Sequence, residues 1–208
     1  MASPLLKVCG LTRPEDVALC HDLGVAFTGF VMAGESPRYV APSRVAAMPG
    51  GAARRVGVFT GAPVEAVREA VREAALDYVQ LHGGQDEAFC EAVGPTRVIK
   101  VLWPERIGTL ELAEQLIRFA PYCAYFLFDA GKSGGGGGRP FAWEILRDLR
   151  IPKPWLLAGG LSPENIGEAA GFLSPHALDV NSGAEVSPGV KDAAKIRAIA
   201  DSIAKVQS

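Results

Sequence analysis

The chain has 208 residues, of which 49% are hydrophobic and 21% are charged, so it can bury a core and lacks the composition of a disordered protein. Its 21 basic and 23 acidic residues give a net charge of -2, which argues against a nucleic-acid partner and favours a small molecule. At roughly 150 residues per domain, this length allows one large domain or two small ones.

Eight short apolar runs rich in β-forming residues recur along the chain, and a helix-like stretch follows each of the first seven. Pro14, Pro63 and Pro163 each stand where proline favours the first turn of a helix, and a further helix is expected to begin near Phe141. In chain order, the predicted strands are Leu5–Cys9, Phe27–Met32, Arg55–Thr60, Tyr78–His82, Arg97–Trp103, Ala124–Asp129, Trp155–Gly159 and Ala177–Ser182.

Eight strand and helix units would each occupy about 26 residues, which is close to the lower size limit of the parallel eight-stranded barrel. An open doubly wound sheet would use about five or six strands and usually a glycine-rich first turn. The first turn here is instead Cys9-Gly10-Leu11-Thr12. The sequence therefore predicts an α/β fold, a compact single-domain (β/α)8 TIM barrel that spans residues 1–208.

Polar residues stand where several of the predicted strands end. A barrel strand is covered on both faces, so polar side chains are expected mainly near its carboxyl end, where the active sites of this fold lie. Alternation along each strand places these residues on one face, and we expect them to converge on one pocket. Taken singly, Cys9 is more typical of an inert core than of a site, and Asp129 is equally typical of a helix or turn cap. The full set is Lys7 and Cys9, Gln80 and His82, Asp129, and Asp179 and Asn181.

The cysteines and the amino-terminal segment indicate the cellular compartment. Cys9, Cys20, Cys90 and Cys123 are too widely spaced for a CxxC pair, a zinc site or a disulfide framework, so we expect reduced thiols and no metal. Residues 1–10 lack a basic region followed by an apolar stretch, and no uncharged run approaches the roughly 18 residues of a membrane span. We expect a cytoplasmic protein without a membrane partner.

A glycine-rich segment follows the sixth predicted strand. Gly131-Lys132-Ser133 has the ending of a phosphate-binding P-loop, but the first glycine of that motif would fall at Phe126 in the middle of a strand, so ATP binding is not expected. The run Gly134–Gly138 is typical of a flexible linker or of a mobile active-site loop, and both interpretations stay open.

A second pair of glycine-containing loops follows the seventh and eighth predicted strands. Gly159 and Gly160 precede a helix start, and Asn181-Ser182-Gly183 follows the last strand. In eight-stranded barrels, the loops after these two strands often bind phosphate through main-chain N–H groups. Ordinary loop closure is the alternative. We expect a phosphorylated small-molecule substrate.

Short sequence blocks spread over nearly the whole chain carry a family resemblance. They are Lys7–Thr12, Ser36–Val40, Arg55–Phe59, Val79–Gly83, Ala158–Leu161 and Asp179–Gly183. In this order, the blocks resemble those of the phosphoribosylanthranilate isomerases of tryptophan biosynthesis. The resemblance implies an Amadori rearrangement of N-(5-phosphoribosyl)anthranilate to 1-(2-carboxyphenylamino)-1-deoxyribulose 5-phosphate, without cofactor or metal.

The same resemblance implies a role for individual residues. Cys9 would be the general base, Asp129 the general acid and Arg38 the partner of the anthranilate carboxylate. For these roles the pKa of Asp129 must be raised, and Cys9 needs a nearby cation such as Lys7. The predicted substrate contacts are Arg38, Gln80, His82, Gly159, Gly160, Asp179, Asn181, Ser182 and Gly183.

Three positions depart from the family pattern. Ala142 stands where the family usually has an acidic residue between Phe and Trp, so we expect a looser loop or an altered helix start. Asn181 and Ala184 stand where Ser and Val are more usual. Backbone contacts to phosphate should persist in spite of both changes.

Two other functions remain open at this point. The analogous histidine-pathway isomerase performs the same rearrangement on a similar barrel but is expected to use two aspartates, and Cys9 argues against it. A non-catalytic barrel that binds a phosphorylated ligand is the other alternative. The sequence does not distinguish a monomer from a homodimer.

Overall fold

Eight parallel strands close into a barrel in the computed structural model, which describes residues 3–129 and 141–206. The strands pair in chain order, and the last strand closes the barrel by pairing with the first, where Lys7 lies opposite Asp179. This topology confirms the predicted (β/α)8 barrel. The strands are β1 Leu5–Val8, β2 Phe27–Val31, β3 Arg54–Phe59, β4 Tyr78–Leu81, β5 Val98–Leu102, β6 Tyr125–Asp129, β7 Trp155–Ala158 and β8 Ala177–Val180.

Helices alternate with the strands, and a short antiparallel hairpin lies between β8 and the last helix. The helices are α1 Pro14–Asp22, α2 Pro42–Ala46, α3 Val64–Glu73, α4 Glu87–Val93, α5 Thr109–Phe119, α6 Phe141–Arg147, α7 Ile166–Leu173 and α8 Ala193–Lys205. The hairpin consists of β9 Glu185–Ser187 and β10 Val190–Lys191. None of the helices that the structure describes is long and apolar enough to cross a membrane.

The ends of several strands differ from the predicted runs by one or two residues. The predicted runs included Cys9, His82 and Asn181, but β1, β4 and β8 end before these residues. Each of the three side chains therefore lies in the first turn beyond its strand, where the backbone is free to leave the barrel wall.

The start of α7 also differs from the prediction. We expected a helix from about Pro163, but the main-chain oxygen of Ser162 first accepts hydrogen bonds from the N–H groups of Asn165 and Ile166. A turn therefore precedes the helix, which begins at Ile166. The helix expected near Phe141 does begin there. Gly131-Lys132-Ser133 and the run Gly134–Gly138 lie outside the described residues.

The inside of the barrel is apolar at its amino-terminal end and polar at its carboxyl end. The rings of Phe27, Tyr78 and Tyr125, each the first residue of its strand, pack edge to face with centroids 5.4 to 6.1 Å apart. Above them lies a layer of aliphatic side chains that includes Val56, Ile99, Val101, Leu127 and Leu156. This packing closes one end of the barrel, so the polar residues face the other end.

Candidate active site

A cavity of about 460 Å³ opens at the carboxyl ends of the strands. Its lining brings together the two predicted catalytic residues, Cys9 after β1 and Asp129 at the end of β6. Parallel strands of a closed barrel all end on one face, which explains why residues far apart in sequence meet there. Seven of the predicted substrate contacts also line the cavity, namely Gln80, His82, Gly159, Gly160, Asp179, Asn181 and Ser182.

Arg38 and Gly183 are the two predicted contacts that do not line the cavity. Arg38 lies beside it, because a Cβ atom built on Gly10 would come within 2.8 Å of Arg38 Cδ and 2.6 Å of Asn181 Oδ1. Gly10 has a φ of +71°, in the left-handed region that favours glycine. No sequence pattern singled out Gly10, although its place directly after Cys9 could have indicated a close approach.

The thiol of Cys9 is buried beside the ammonium group of Lys7. Both groups approach Gly29, where a Cβ atom would lie 2.8 Å from Cys9 Sγ and 3.1 Å from Lys7 Nζ. Burial raises the pKa of the Cys9 thiol above its ordinary value, while the positive charges of Lys7 and Lys191 act in the opposite direction. In the free protein the burial effect prevails, so the thiol holds its proton more tightly than a cysteine in water.

Lys7 and Asp179 form a buried ion pair beneath the cavity. Lys7 Nζ donates a hydrogen bond to Asp179 Oδ2 at 2.7 Å, and both side chains are almost completely buried. Burial alone would lower the pKa of Lys7, but Asp179 and Cys9 hold it above its usual range. The other carboxylate oxygen, Asp179 Oδ1, is buried without a hydrogen-bond partner among the described residues. Because Asp179 lines the cavity, this oxygen is placed to accept a hydrogen bond from a ligand.

Asp129 lies next to the imidazole of His82. His82 Nε2 is 3.5 Å from Asp129 Oδ2, and the other ring nitrogen, Nδ1, is 3.2 Å from the amide nitrogen of Gln80. An amide nitrogen only donates, so this contact requires an unprotonated Nδ1, and a neutral imidazole of that kind carries its proton on Nε2, toward Asp129. The Trp103 ring packs edge to face against His82 at 5.4 Å. The candidate acid therefore lies beside His82 Nε2.

The loops after β7 and β8 form another wall of the cavity, next to Asp129. Gly159 and Gly160 have φ values of +94° and +66°, so both adopt a conformation that other residues rarely take. A Cβ atom on Gly183 would lie 2.0 Å from the main-chain oxygen of Leu161, so the two loops touch there. Ser182–Ala184 form a 3₁₀ turn, whose first N–H groups have no acceptor within the turn. This wall suits an anion.

Two charged residues near the cavity were missed by the sequence analysis. Glu185 and Lys191 lie on the hairpin β9–β10, are almost fully buried and bind each other at 2.9 Å. Neither is part of a period-two or helical pattern, so no sequence signal marks them as buried. Among residues 3–129 and 141–206, no three His, Cys, Asp or Glu side chains are arranged to hold a metal ion.

Comparison with known proteins gives a family for this arrangement. Residues 6–202 match the family model described as N-(5'phosphoribosyl)anthranilate (PRA) isomerase. A curated relative named N-(5'-phosphoribosyl)anthranilate isomerase, from Maridesulfovibrio salexigens, is 48% identical over 197 residues, which make up 94% of this chain and 96% of the relative.

Solved structures agree with the sequence comparison. A phosphoribosyl anthranilate isomerase from Thermus thermophilus is 34% identical with a TM-score of 0.81, over 97% of this chain and 99% of that one. A second such isomerase, in complex with reduced 1-(o-carboxyphenylamino)-1-deoxyribulose 5-phosphate, is 27% identical with a TM-score of 0.82 over the same shares. The chain therefore belongs to the N-(5'-phosphoribosyl)anthranilate isomerase family.

Proposed function

We propose that the chain catalyses the Amadori rearrangement of N-(5'-phosphoribosyl)anthranilate to 1-(2-carboxyphenylamino)-1-deoxyribulose 5-phosphate, a step of tryptophan biosynthesis. The observation that carries this proposal is the joint placement of Cys9 and Asp129 in the lining of one cavity that also has a glycine-rich wall. An aldose-to-ketose rearrangement needs both an acid and a base within reach of one sugar.

Asp129 acts first, as the general acid. Its carboxyl group gives a proton to the furanose ring oxygen, the bond between that oxygen and C1' breaks, and a Schiff base forms between C1' and the anthranilate nitrogen. A donor at His82 Nε2, 3.5 Å away, then stabilises the carboxylate that remains. Asp129 is therefore the residue that opens the ring.

Cys9 acts second, as the general base. The thiolate removes the proton from C2', and the electron pair of that C–H bond moves to give the enolamine, which becomes the ketone when C1' takes up a proton and the C2' hydroxyl loses one. Lys7 supports this step because its charge opposes the effect of burial on the thiol. Ring opening must precede this step, because the Schiff base makes the C2' proton acidic.

The two ends of the substrate bind in different places. We place the phosphate at Gly159, Gly160, Asn181, Ser182 and Gly183, because the loops after β7 and β8 meet there. We place the anthranilate carboxylate at Arg38, beside the cavity. Gln80, His82 and Asp179 also line the cavity, and we assign them to the sugar, where Asp179 Oδ1 accepts a hydrogen bond from a hydroxyl.

A fluorescence assay tests the activity directly. Consumption of phosphoribosylanthranilate removes the emission of its anthranilate group, so the purified protein should make the signal decay in proportion to enzyme concentration. Turnover of only the histidine-pathway aminoaldose, or binding of phosphorylated ligands without turnover, would contradict the proposal. We propose further that the enzyme acts in the cytoplasm as a monomer or homodimer, which light scattering distinguishes.

A further inference from the structure

We propose that Glu185 and Lys191, the charged residues of the hairpin β9–β10, are positioning residues for the two ends of the substrate site. Glu185 orients Arg38 toward the substrate carboxylate, and Lys191 fixes Asn181 at the start of the phosphate loop. This inference rests on the proposed function, in which Arg38 and the loop after β8 hold the carboxylate and the phosphate.

Glu185 holds one edge of the Arg38 guanidinium group. Arg38 Nε donates to Glu185 Oε1 at 2.9 Å and Arg38 Nη2 donates to Oε2 at 2.6 Å, so the contact is bidentate. A guanidinium group is a planar fork of five donors, and this contact uses only the edge formed by Nε and Nη2. The second edge, formed by Nη1 and the other hydrogen of Nη2, suits another carboxylate. Glu185 thereby sets the plane and direction in which Arg38 meets the substrate.

The ammonium group of Lys191 donates hydrogen bonds to three acceptors. Its Nζ donates to Glu185 Oε1 at 2.9 Å, to Asn181 Oδ1 at 3.0 Å and to the main-chain oxygen of Asn181 at 3.1 Å. An ammonium group has three hydrogens, so all of its donors are used. The main-chain oxygen of Asn181 also accepts a hydrogen bond from the N–H of Ala184, which closes the 3₁₀ turn that follows. Lys191 therefore fixes the first residue of the loop that we assign to phosphate.

The hairpin is itself anchored to the start of the barrel. Thr12 Oγ1 donates to the main-chain oxygen of Gly189 at 2.6 Å, and the Lys191 N–H donates to Asp16 Oδ2 at 3.3 Å. The Gly189 N–H donates to Glu185 Oε1 at 3.1 Å, so the turn of the hairpin also fixes the carboxylate. The position of both charges is thus set by the fold before any substrate binds.

The charge state of Glu185 suits this role. Burial acts to raise the pKa of Glu185, but the hydrogen bonds from Arg38 and Lys191 hold it below its ordinary value. The carboxylate is therefore ionised at neutral pH. A hairpin needs no buried charges in order to close, and here each charge contacts one residue of the substrate site, which is what a positioning role requires.

The test measures the two ends of the site separately on the free protein. Calorimetric titrations with anthranilate and with inorganic phosphate give a dissociation constant for each end, in the wild type and in Glu185→Gln and Lys191→Met. Both replacements keep the approximate shape of the side chain and remove its charge. The matched control is Glu87→Gln, because Glu87 also pairs with an arginine, Arg118, but lies on α4 and does not line the catalytic cavity.

The expected result is a separation of the two effects. Glu185→Gln should raise the dissociation constant of anthranilate about fivefold or more and change that of phosphate by less than about twofold. Lys191→Met should raise the dissociation constant of phosphate about fivefold or more. In the fluorescence assay, both variants should raise KM more than they lower kcat, and Glu87→Gln should change nothing.

Two results would overturn the inference. Unchanged dissociation constants in Glu185→Gln would mean that Arg38 is oriented without this carboxylate, and equal losses at both ends in both variants would mean that the hairpin is merely structural. If Lys191→Met does not fold, Glu185→Gln/Lys191→Met removes the opposite charges together. Relative to Glu185→Gln, this double variant should weaken phosphate about fivefold or more and anthranilate by less than about twofold, and no further loss of phosphate would refute the role of Lys191. A wild type that binds both ligands but does not turn over phosphoribosylanthranilate would refute the proposed function alone.

Discussion

Lys7 places a positive charge beside the Cys9 thiol. Removal of this charge should change the pH dependence of catalysis. Activity of a general base rises with pH as the base loses its proton. Burial raises the pKa of Cys9 and Lys7 opposes that effect, so Lys7→Met should shift the rising limb of kcat/KM to higher pH and lower the rate at neutral pH. The variant should also lose about 3 to 5 kcal/mol of stability, because Asp179 is left as an unpaired buried charge.

A double variant separates the electrostatic effect from the loss of stability. Lys7→Met/Asp179→Asn removes both charges, so it should recover most of the stability in thermal unfolding. The rising limb of its kcat/KM profile should still lie at higher pH than in the wild type, since Lys7 affects the pKa of Cys9 more strongly than Asp179 does. If the rising limb of kcat/KM stayed at the wild-type pH in both variants, Lys7 would not affect the pKa of the Cys9 thiol.

Arg38 should control substrate affinity more than folding. Arg38→Ala removes the proposed partner of the anthranilate carboxylate and should lower kcat/KM by about tenfold or more, because one charged hydrogen bond contributes about 1.5 to 3 kcal/mol. Glu185 keeps Lys191 and the Gly189 N–H as donors, so the fold should persist. The control is Arg54→Ala, because Arg54 begins β3 at the opposite end of the barrel and pairs with Asp77. Equal kinetics in the two variants would exclude the proposed role.

At the scale of single residues, those at the end of a strand or just past it could be predicted, and those on the hairpin β9–β10 could not. The positions of Lys7, Cys9, Gln80 and Asp179 follow from period-two alternation near the end of a buried strand. Glu185 and Lys191 could not be found in this way. They are charged residues in a loop, and only the folded hairpin buries them.

Among the elements, the loop after β7 should depend on its glycines for its conformation. Gly160 has a φ of +66°, so Gly160→Val forces a β-branched residue into the left-handed region, at a cost of about 1 to 3 kcal/mol. KM should rise about fivefold or more as the loop that we propose for phosphate is displaced. The control is Gly171→Ala in α7, where a Cβ atom meets nothing within 4 Å. This change should make the helix slightly more stable.

The same loop should hold an anion in crystals. A crystal soaked with sulfate should show the ion beside Gly160 and Ser182, held mainly by main-chain N–H groups. An anion bound only at another surface, together with an unchanged KM in Gly160→Val, would move the phosphate site away from β7 and β8.

The order and type of the elements could be predicted, whereas some of their ends could not. Eight β-rich runs with helical segments between them are strong local signals, because each run is buried on both sides. The end of an element depends on single hydrogen bonds. The turn that Ser162 makes with Asn165 and Ile166 delays α7, and no composition signal distinguishes such a turn from the first turn of a helix.

For the whole molecule, closure of the barrel is what brings the site together. The aromatic cluster of Phe27, Tyr78 and Tyr125 fills the amino-terminal end, and the cavity of the candidate site opens where the strands end. Convergence of the predicted residues follows from parallel topology alone. The depth of burial of Cys9, which raises the pKa of its thiol, depends on packing and could not be predicted from the sequence.

The proposed mechanism depends on Cys9 and Asp129 acting as base and acid in one cavity. A general acid and a general base each contribute about 10²- to 10⁴-fold, so Cys9→Ala and Asp129→Asn should each lower kcat by about a hundredfold or more. Cys20→Ser is the control, because Cys20 is buried in α1 outside the cavity, where burial raises its pKa to about 12. It should lose stability and keep its turnover.

Cys9→Ser tests this claim most directly, because it nearly conserves volume and replaces the thiol with a hydroxyl that is far too weakly acidic to act as the base. Single-turnover decay of phosphoribosylanthranilate fluorescence at saturating enzyme reports the chemical step itself. The account predicts a rate lower by about a hundredfold or more, with thermal unfolding close to that of the wild type. A Cys9→Ser enzyme that retained most of its single-turnover rate would contradict it, and the base would have to be another group.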